Sequence, residues 1–231
     1  ECLEIYQPEV LRYLFAGSRS RSEFAISFDL DVNKIYEDYD KCERMYFGEQ
    51  EAGTEKETSQ QKRIYELSQV EKIPAAMPPQ IPFLHASLVM QISKTEENAI
   101  TILQEQGKIK KKASKEHLNY VKKRLACAKV WVEKYAPDQF RFTVQTTIQA
   151  QLSEKEKKAF RLLAKSLKEK EFDESSLHQE FLKISQEVDL TTKEIYQSAY
   201  KILLNKDQGP KLASLILTVG KEKIIALLEK I

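Results

Sequence analysis

Residues 114–135 have the sequence SKEHLNYVKKRLACAKVWVEKY, the stretch with the clearest structural signal in the chain. Its apolar positions recur at steps of three and four residues: Leu118, Val121, Leu125, Ala128, Val132 and Tyr135. This spacing places them on one face of an α-helix, and that face must pack against other elements. Ser114 precedes the pattern, where its hydroxyl can cap the first turn. The stretch therefore predicts a long amphipathic helix within a helical domain.

Helix signals continue through most of the remaining sequence. Pro8 is placed as a first-turn proline ahead of a short amphipathic helix that Gly17 ends, and a second helix is predicted from Asp31 to about Phe47. Further helices are predicted at 83–92 and 96–105. Two capping boxes, Ser153 with Glu156 and Thr191 with Glu194, mark later helix starts, and Gly209 with Pro210 separates the last helices. The fold class is therefore mainly α.

A small mixed region is predicted before these downstream helices. Phe24, Ile26 and Phe28 alternate with small residues, which favours a short strand, and 64–67 is a candidate second strand. The polar segment 49–61 between them is interpreted as a loop. Four prolines within 73–82 mark a domain boundary. The expected organisation is a small α/β subdomain at 1–80 followed by an all-helical bundle at 81–231.

Composition excludes several classes of protein. The 231 residues are 42% hydrophobic and 31% charged with a net charge of +2, which is the balance of a core-forming globular protein. No apolar stretch is long enough to span a membrane, and no secretory signal pattern opens the chain, so a cytoplasmic protein without a membrane partner is expected. Because the chain opens at Glu1 within structured sequence, we expect a part of a longer protein.

No motif for catalysis or for a metal is found. The three histidines are isolated, the three cysteines are far apart, and no glycine-rich phosphate loop occurs. The stretch KKASK at 111–115 resembles an ATP-binding KMSKS loop but lacks its Met-Ser core, and Ser114 is better explained as a helix cap. We therefore predict no catalytic residue, no metal ligand and no cofactor site in this chain.

Basic residues provide the candidates for binding. The candidates, all proposed to contact RNA phosphates, are Arg19, Arg21, Lys108, Lys110, Lys111, Lys112, Lys129, Lys206 and Lys211. The alternatives remain open, because a lysine run between helices is usually a solvated linker and lysines near a helix C-terminus stabilise it without a ligand. The aromatic residues Tyr36, Tyr39, Tyr46, Tyr135 and Trp131 are interpreted as core rather than as stacking platforms.

Two stretches carry a resemblance to a known family. PEVLRYLFAGSRSRSEFAISFDLDVNKIYEDYDKCERMYFG, at 8–48, resembles the segment that follows the KMSKS-type loop of class I lysyl-tRNA synthetases, and FDLDVNKIYEDYDKCERMYFG is its specific part. Arg19 stands in the family's Ala-Gly-x-Arg position. ILLNKDQGPKLASLI at 202–216 and GKEKIIALL at 220–228 are similar to the last helices of the α-helix cage of class I lysyl and glutamyl enzymes. The stretch 108–151 matches no motif.

The resemblance implies a C-terminal part of such a synthetase. Residues 1–80 would form the stem-contact fold against the inner corner of the tRNA, and 81–231 the α-helix cage that receives the anticodon loop. The whole enzyme would attach lysine to tRNA(Lys) with ATP, but the HIGH and KMSKS motifs are absent here, so this chain alone would be inactive. A monomer is expected, with tRNA(Lys) as partner and no DNA. The alternatives are a glutamyl-type fragment and a helical protein-interaction scaffold without RNA binding.

Overall fold

The computed structural model describes residues 1–18 and 26–231. Within these ranges the chain forms twelve α-helices and one 3-10 helix at Asp138–Phe140, with no β-strand. The helices are α1 (Cys2–Ile5), α2 (Pro8–Gly17), α3 (Asp31–Phe47), α4 (Glu55–Ser68), α5 (Phe83–Ser93), α6 (Glu96–Glu105), α7 (Lys115–Lys134), α8 (Glu154–Glu169), α9 (Glu174–Val188), α10 (Thr192–Leu204), α11 (Leu212–Val219) and α12 (Lys221–Leu228). The predicted mainly α fold is confirmed.

The helices form two compact units, Glu1–Pro137 and Asp138–Ile231. The division by packing therefore lies after α7 rather than at the proline-rich segment, since α5 and α7 pack with the elements that precede them. Ile81, within that segment, is fully buried, so the prolines form part of the first unit and not a solvated linker. A functional boundary near residue 80 stays a prediction, because packing does not test it.

A row of stacked aromatic rings connects four elements of the first unit. The ring of Tyr6 lies 6.1 Å from that of Tyr36 on α3, which stacks at 4.3 Å on Phe83 of α5. Phe83 in turn meets Trp131 of α7 edge-on at 5.7 Å. All four rings are buried. Such contacts contribute about 0.5–1.5 kcal/mol each beyond the burial of apolar area, so this row fixes α3, α5 and α7 together.

The prediction of a polar loop at 49–61 followed by a strand at 64–67 is wrong from Glu55 onward. Residues from Glu55 to Ser68 form α4, which includes the candidate strand at 64–67. Thr54 caps this helix by accepting a hydrogen bond from the Glu57 amide at 3.2 Å, a start signal overlooked in the sequence. The buried residues Ile64, Tyr65 and Ser68 have helical spacing. A run of only four residues cannot distinguish a strand from a helix face, and here packing against α2 and α3 selected the helix.

The other predicted strand is not found in its described part. Phe24 lies outside the described residues, and 26–28 form no strand. Two backbone carbonyls there accept hydrogen bonds from side chains instead. The Trp131 indole donates to the Phe28 carbonyl at 3.1 Å, and the Tyr6 hydroxyl donates to the Ser27 carbonyl at 2.5 Å. The predicted α/β subdomain is therefore not supported by the described residues, where 1–80 is helical with connecting coil.

The second unit is a small bundle of α8 to α12. Both predicted capping boxes are confirmed: Ser153 with Glu156 begins α8, and Thr191 with Glu194 begins α10. The core consists of apolar side chains from all five helices, including Phe160, Leu163, Phe181, Ala199, Ile202, Leu215, Ile216, Ile224 and Leu228. Between the 3-10 helix and α8, residues 141–153 cross the bundle without regular structure, held in part by a hydrogen bond from the Gln145 amide to the Leu203 carbonyl at 2.8 Å.

Gly209, in the turn between α10 and α11, has no room for a side chain. A Cβ atom there would lie 2.6 Å from Leu204 Cδ1 and 3.0 Å from the Tyr200 ring. We expect Gly209→Ala to lower the free energy of unfolding by about 1–3 kcal/mol, because the two neighbours must shift. Gly17→Ala is the control, since among the described residues its Cβ would meet nothing closer than Ile64 Cγ2 at 4.0 Å. Urea unfolding of both variants tests this, and an unchanged midpoint for Gly209→Ala would contradict it.

Candidate nucleic-acid interface

The lysine run lies in a shaped loop between α6 and α7. Gly107 adopts a left-handed conformation with φ of 70°, and the Lys108 amide bonds to the Leu103 carbonyl at 2.9 Å, which is the hydrogen bonding of a Schellman motif. Ile109 is buried and anchors the middle of the loop. Lys108, Lys110, Lys111 and Lys112 are all exposed around this anchor. The loop is therefore a fixed platform that presents four ammonium groups.

The first turn of α7 adds to this positive potential. Ser114 caps α7 by accepting from the His117 amide at 3.1 Å, which confirms its predicted role. The free amides of a helix N-terminus carry a partial positive charge that attracts phosphates. The four loop lysines immediately precede this terminus, so helix dipole and side-chain charge reinforce each other there.

One face of α7 extends the basic surface. Lys115, Lys122 and Lys129 follow one another at intervals of seven residues, which places them on the same face with about 10 Å between successive residues. Lys129 was predicted as a candidate, whereas Lys115 and Lys122 were missed although their seven-residue spacing was visible in the sequence. Among the described residues, none of these three lysines, nor any of the four in the loop, forms an ion pair, in contrast to Lys134, which pairs with Glu4 at 2.7 Å. Ammonium groups free of such pairs remain available for an external anion.

The other candidates differ in their surroundings. Arg19 and Arg21 lie outside the described residues, so their prediction is unchanged. Lys206 donates to the carbonyls of Asp138 at 2.7 Å and Arg141 at 2.6 Å, a structural role that occupies its ammonium group. Lys211 is exposed and lies directly before the N-terminus of α11. The alternative role of stabilising a helix C-terminus therefore does not apply to Lys211. These two residues belong to the second unit and all the other described candidates to the first.

The aromatic side chains are largely core, as predicted. Tyr36, Tyr39 and Trp131 are fully buried. Tyr46 packs on Tyr65 at 4.8 Å, and Tyr135 packs on Phe28 at 5.1 Å. Because Tyr36, Tyr39 and Trp131 are fully buried, their rings cannot stack on a base unless the protein unfolds locally.

Sequence reasoning missed a buried polar junction in the first unit. The Arg124 guanidinium is 1% exposed and forms a bidentate pair with Asp40 at 2.7 and 2.9 Å. It also donates to Gln7 Oε1 at 3.0 Å and to the Ile81 carbonyl at 2.9 Å. The partners lie between 43 and 117 positions away in sequence, so no local pattern could indicate them. Arg124 thereby joins α7 to α3, to the α1–α2 connection and to the proline-rich segment.

Glu43 forms a second buried site beside this junction. Its carboxylate accepts from the hydroxyls of Tyr65 at 2.9 Å and Tyr120 at 3.3 Å, and from the Gln80 amide at 2.8 Å. Burial raises the pKa of Glu43 above its ordinary value despite these donors. Folding therefore favours the protonated form of Glu43 relative to the unfolded chain, and the charged form lowers the free energy of unfolding.

Glu43→Gln is expected to change the pH dependence of stability. The folded pKa of Glu43 is raised above its ordinary value of 4.5. The stabilising contribution of Glu43 to the free energy of unfolding is therefore fully present below pH 4.5, and it is lost as pH rises through the folded pKa. As pH rises from about 4 to about 7, the free energy of unfolding of the variant should therefore increase relative to that of the parent. Urea unfolding at both pH values measures this, with exposed Glu37→Gln as control, and a difference independent of pH would contradict it.

The described residues contain neither a candidate metal site nor a candidate membrane span. They contain no cluster of three or more histidine, cysteine or acidic side chains placed to hold a metal ion. A search of the same residues finds no helix with the length and apolar character needed to cross a bilayer.

Known proteins similar to this chain are tRNA synthetases. The family described as tRNA synthetases class I (K) matches residues 1–71. A lysine–tRNA ligase of Treponema pallidum is 37% identical over 228 residues, which cover 97% of this chain and 42% of the relative. One from Borrelia garinii is 39% identical over 235 residues, covering 100% and 44%. The chain is thus similar to class I lysyl-tRNA synthetases over nearly its whole length. A more distant relative, from Thermococcus kodakarensis, is 31% identical over 225 residues, covering 96% and 43%.

These matches extend the resemblance noticed in the sequence. The stretch 108–151, which matched no motif by inspection, lies within likenesses that cover 96–100% of the chain. The chain spans less than half the length of the lysine–tRNA ligases it matches, as expected for one part of a longer synthetase.

Proposed function

We propose that this chain is the tRNA-binding C-terminal part of a class I lysyl-tRNA synthetase, and that the whole protein attaches lysine to tRNA(Lys) with ATP. The observation that carries this proposal is the likeness to lysine–tRNA ligases over almost the entire chain. The lysine loop and the basic face of α7 support the tRNA contact, because both present ammonium groups without ion pairs among the described residues.

A division of labour within the chain follows from the chemistry of RNA. Stem phosphates provide affinity that depends on salt, whereas unpaired anticodon bases expose edges that can be read by hydrogen bonds. Residues 1–80, which include Arg19 and Arg21, would contact the inner corner of the tRNA. Residues 81–231 would receive the anticodon loop. The chain then acts by positioning the acceptor end in a distant active site, and contributes no reacting group itself.

The partners and state of the protein follow the same proposal. We expect a cytoplasmic monomer that binds tRNA(Lys), with no DNA or membrane partner, and with ATP bound only in the catalytic domain. The glutamyl-type alternative is disfavoured because the relatives at 37% and 39% identity are named lysine–tRNA ligases. The scaffold alternative leaves the loop lysines and the α7 lysines without a role.

Charging assays on the full-length protein test the activity. With ATP and a lysine tRNA transcript, we expect lysine and not glutamate to be attached. The same protein without the second unit, Asp138–Ile231, is the comparison, and it should lose charging because the anticodon is no longer held. Charging with glutamate would contradict the lysyl assignment, and charging undiminished by the deletion would contradict the role in tRNA binding.

A further inference from the structure

The second unit carries a polar depression on its surface. It has a volume of about 430 Å³ and is lined by Ala150, Gln151, Lys201, Asn205, Lys206 and Asp207. Two of these residues come from the irregular segment before α8, and the others from the C-terminal end of α10 and the turn that follows. Asn205, Lys206 and Asp207 belong to the run at 202–216 that carries the resemblance at this end of the chain.

The walls of the depression are held in place by surrounding contacts. Lys206 bonds to the carbonyls of Asp138 and Arg141, so its stem forms a fixed wall. Asn205 ends α10 in the left-handed conformation, with φ of 54°. The Tyr200 hydroxyl donates to the Pro210 carbonyl at 2.6 Å and fixes the turn from its other side. A site already held in this way loses little entropy when it binds a ligand.

The free groups of the depression are mainly amides. Within the described part of the chain, the side-chain amides of Gln151 and Asn205 have no hydrogen-bond partner. Each amide offers a carbonyl acceptor and an NH2 donor, the combination that complements the edge of a nucleobase. Lys201 is exposed at the rim, with its ammonium 3.7 Å from Asp207. This exposed lysine can contact a phosphate next to a bound base.

Other ligand classes fit this depression less well. The C-terminal end of α10 carries the partial negative charge of the helix dipole, which disfavours an anion lying in the depression itself. One carboxylate, that of Asp207, is too few for a hard cation, which takes six or more oxygen ligands. Pockets for small molecules are mostly apolar, whereas five of the six residues here are polar. A neutral group rich in donors and acceptors, attached to a phosphate backbone, matches best.

We propose that this depression binds an unpaired nucleobase of the anticodon loop, with Gln151 and Asn205 on the base edge and Lys201 on an adjoining phosphate. This inference rests on the proposed function and deepens it by naming residues that read sequence. The remaining candidates, in the lysine loop and on α7, contact phosphates and carry no sequence information.

The test uses the chain with Gln151→Ala and Asn205→Gly, where glycine keeps the left-handed conformation accessible. Titration with a lysine tRNA transcript should show affinity about tenfold weaker, a fold-change that corresponds to the loss of one base contact. A transcript with a substituted anticodon should bind the variant and the parent chain equally. For the Lys201→Ala variant, the slope of log affinity for lysine tRNA against log salt concentration should instead fall by about one unit. The control is Gln179→Ala with Gln186→Ala, two exposed amides of α9, which should change neither value.

The outcomes separate this inference from the function on which it rests. If the parent chain binds lysine tRNA and the double variant binds it as tightly, the depression is not a base site and the proposed function stands. Equal weakening with both transcripts would also overturn the assignment to the anticodon. If the parent chain binds no tRNA, the proposed function fails and the base site fails with it.

Discussion

Replacement of Arg124 by alanine is expected to lower the free energy of unfolding by about 3–5 kcal/mol. The guanidinium is 1% exposed, and its removal leaves the Asp40 carboxylate buried without its bidentate partner. The Gln7 side chain and the Ile81 carbonyl also lose a donor. Breaking one half of a buried pair costs far more than the pair contributes, because the remaining charge stays out of water.

Urea unfolding of three variants measures this effect. Asp40→Ala should destabilise comparably to Arg124→Ala, and the double variant should be less destabilised than the sum of the two, because it leaves no lone charge. Lys123→Ala is the control, since this exposed neighbour should change the unfolding free energy by less than about 0.5 kcal/mol. A loss below about 1 kcal/mol for Arg124→Ala would show that the junction is solvated in solution.

Neutralising the lysine loop is expected to have the largest effect on tRNA binding. Lys110, Lys111 and Lys112 are exposed, carry no ion pair among the described residues and precede the positive end of α7. If each lysine neutralises one phosphate, replacement of all three by glutamine should flatten the salt dependence of log affinity by about 2–3 units. At low salt the affinity itself should fall by about tenfold or more, equally for every tRNA sequence.

Titration at two salt concentrations gives both quantities. The charge-matched control replaces three exposed lysines of the second unit, Lys165, Lys183 and Lys193, by glutamine. These residues lie on α8, α9 and α10 and are not among the candidate residues, so their loss should leave the slope near that of the parent chain. An equal change for both triple variants would show a diffuse charge effect and no defined contact at the loop.

Local signals were sufficient to predict most of the helices. The long helix α7, its Ser114 cap and the two capping boxes depend on residues within a few positions of one another, and the structure contains each of them. The strand prediction at 64–67 failed because these four residues fit the periodicity of a strand and that of a helix equally well. Packing against α2 and α3 decided in favour of the helix. Burial of Ile64 and Tyr65 on the same face is a tertiary effect that no short window contains.

The candidate site was predictable only where charge clusters in sequence. The four loop lysines lie within five positions, so composition alone indicated them. Arg124 and Asp40 are 84 positions apart, and Gln151 and Asn205 are joined only by the packing of the coil before α8 against the end of α10. Lys206 is the opposite case: its charge predicts a phosphate contact, which stays a prediction, while in the structure its ammonium group is bonded to two carbonyl groups.

The most direct test of the central claim is titration of this 231-residue chain with a lysine tRNA transcript, compared with a transcript that differs only in its anticodon. Our account predicts salt-dependent binding that is tighter for the lysine anticodon, because phosphate contacts supply affinity and base contacts supply preference. Binding to neither transcript, at any salt concentration, would contradict the claim that this chain is the tRNA-binding part of a lysyl-tRNA synthetase.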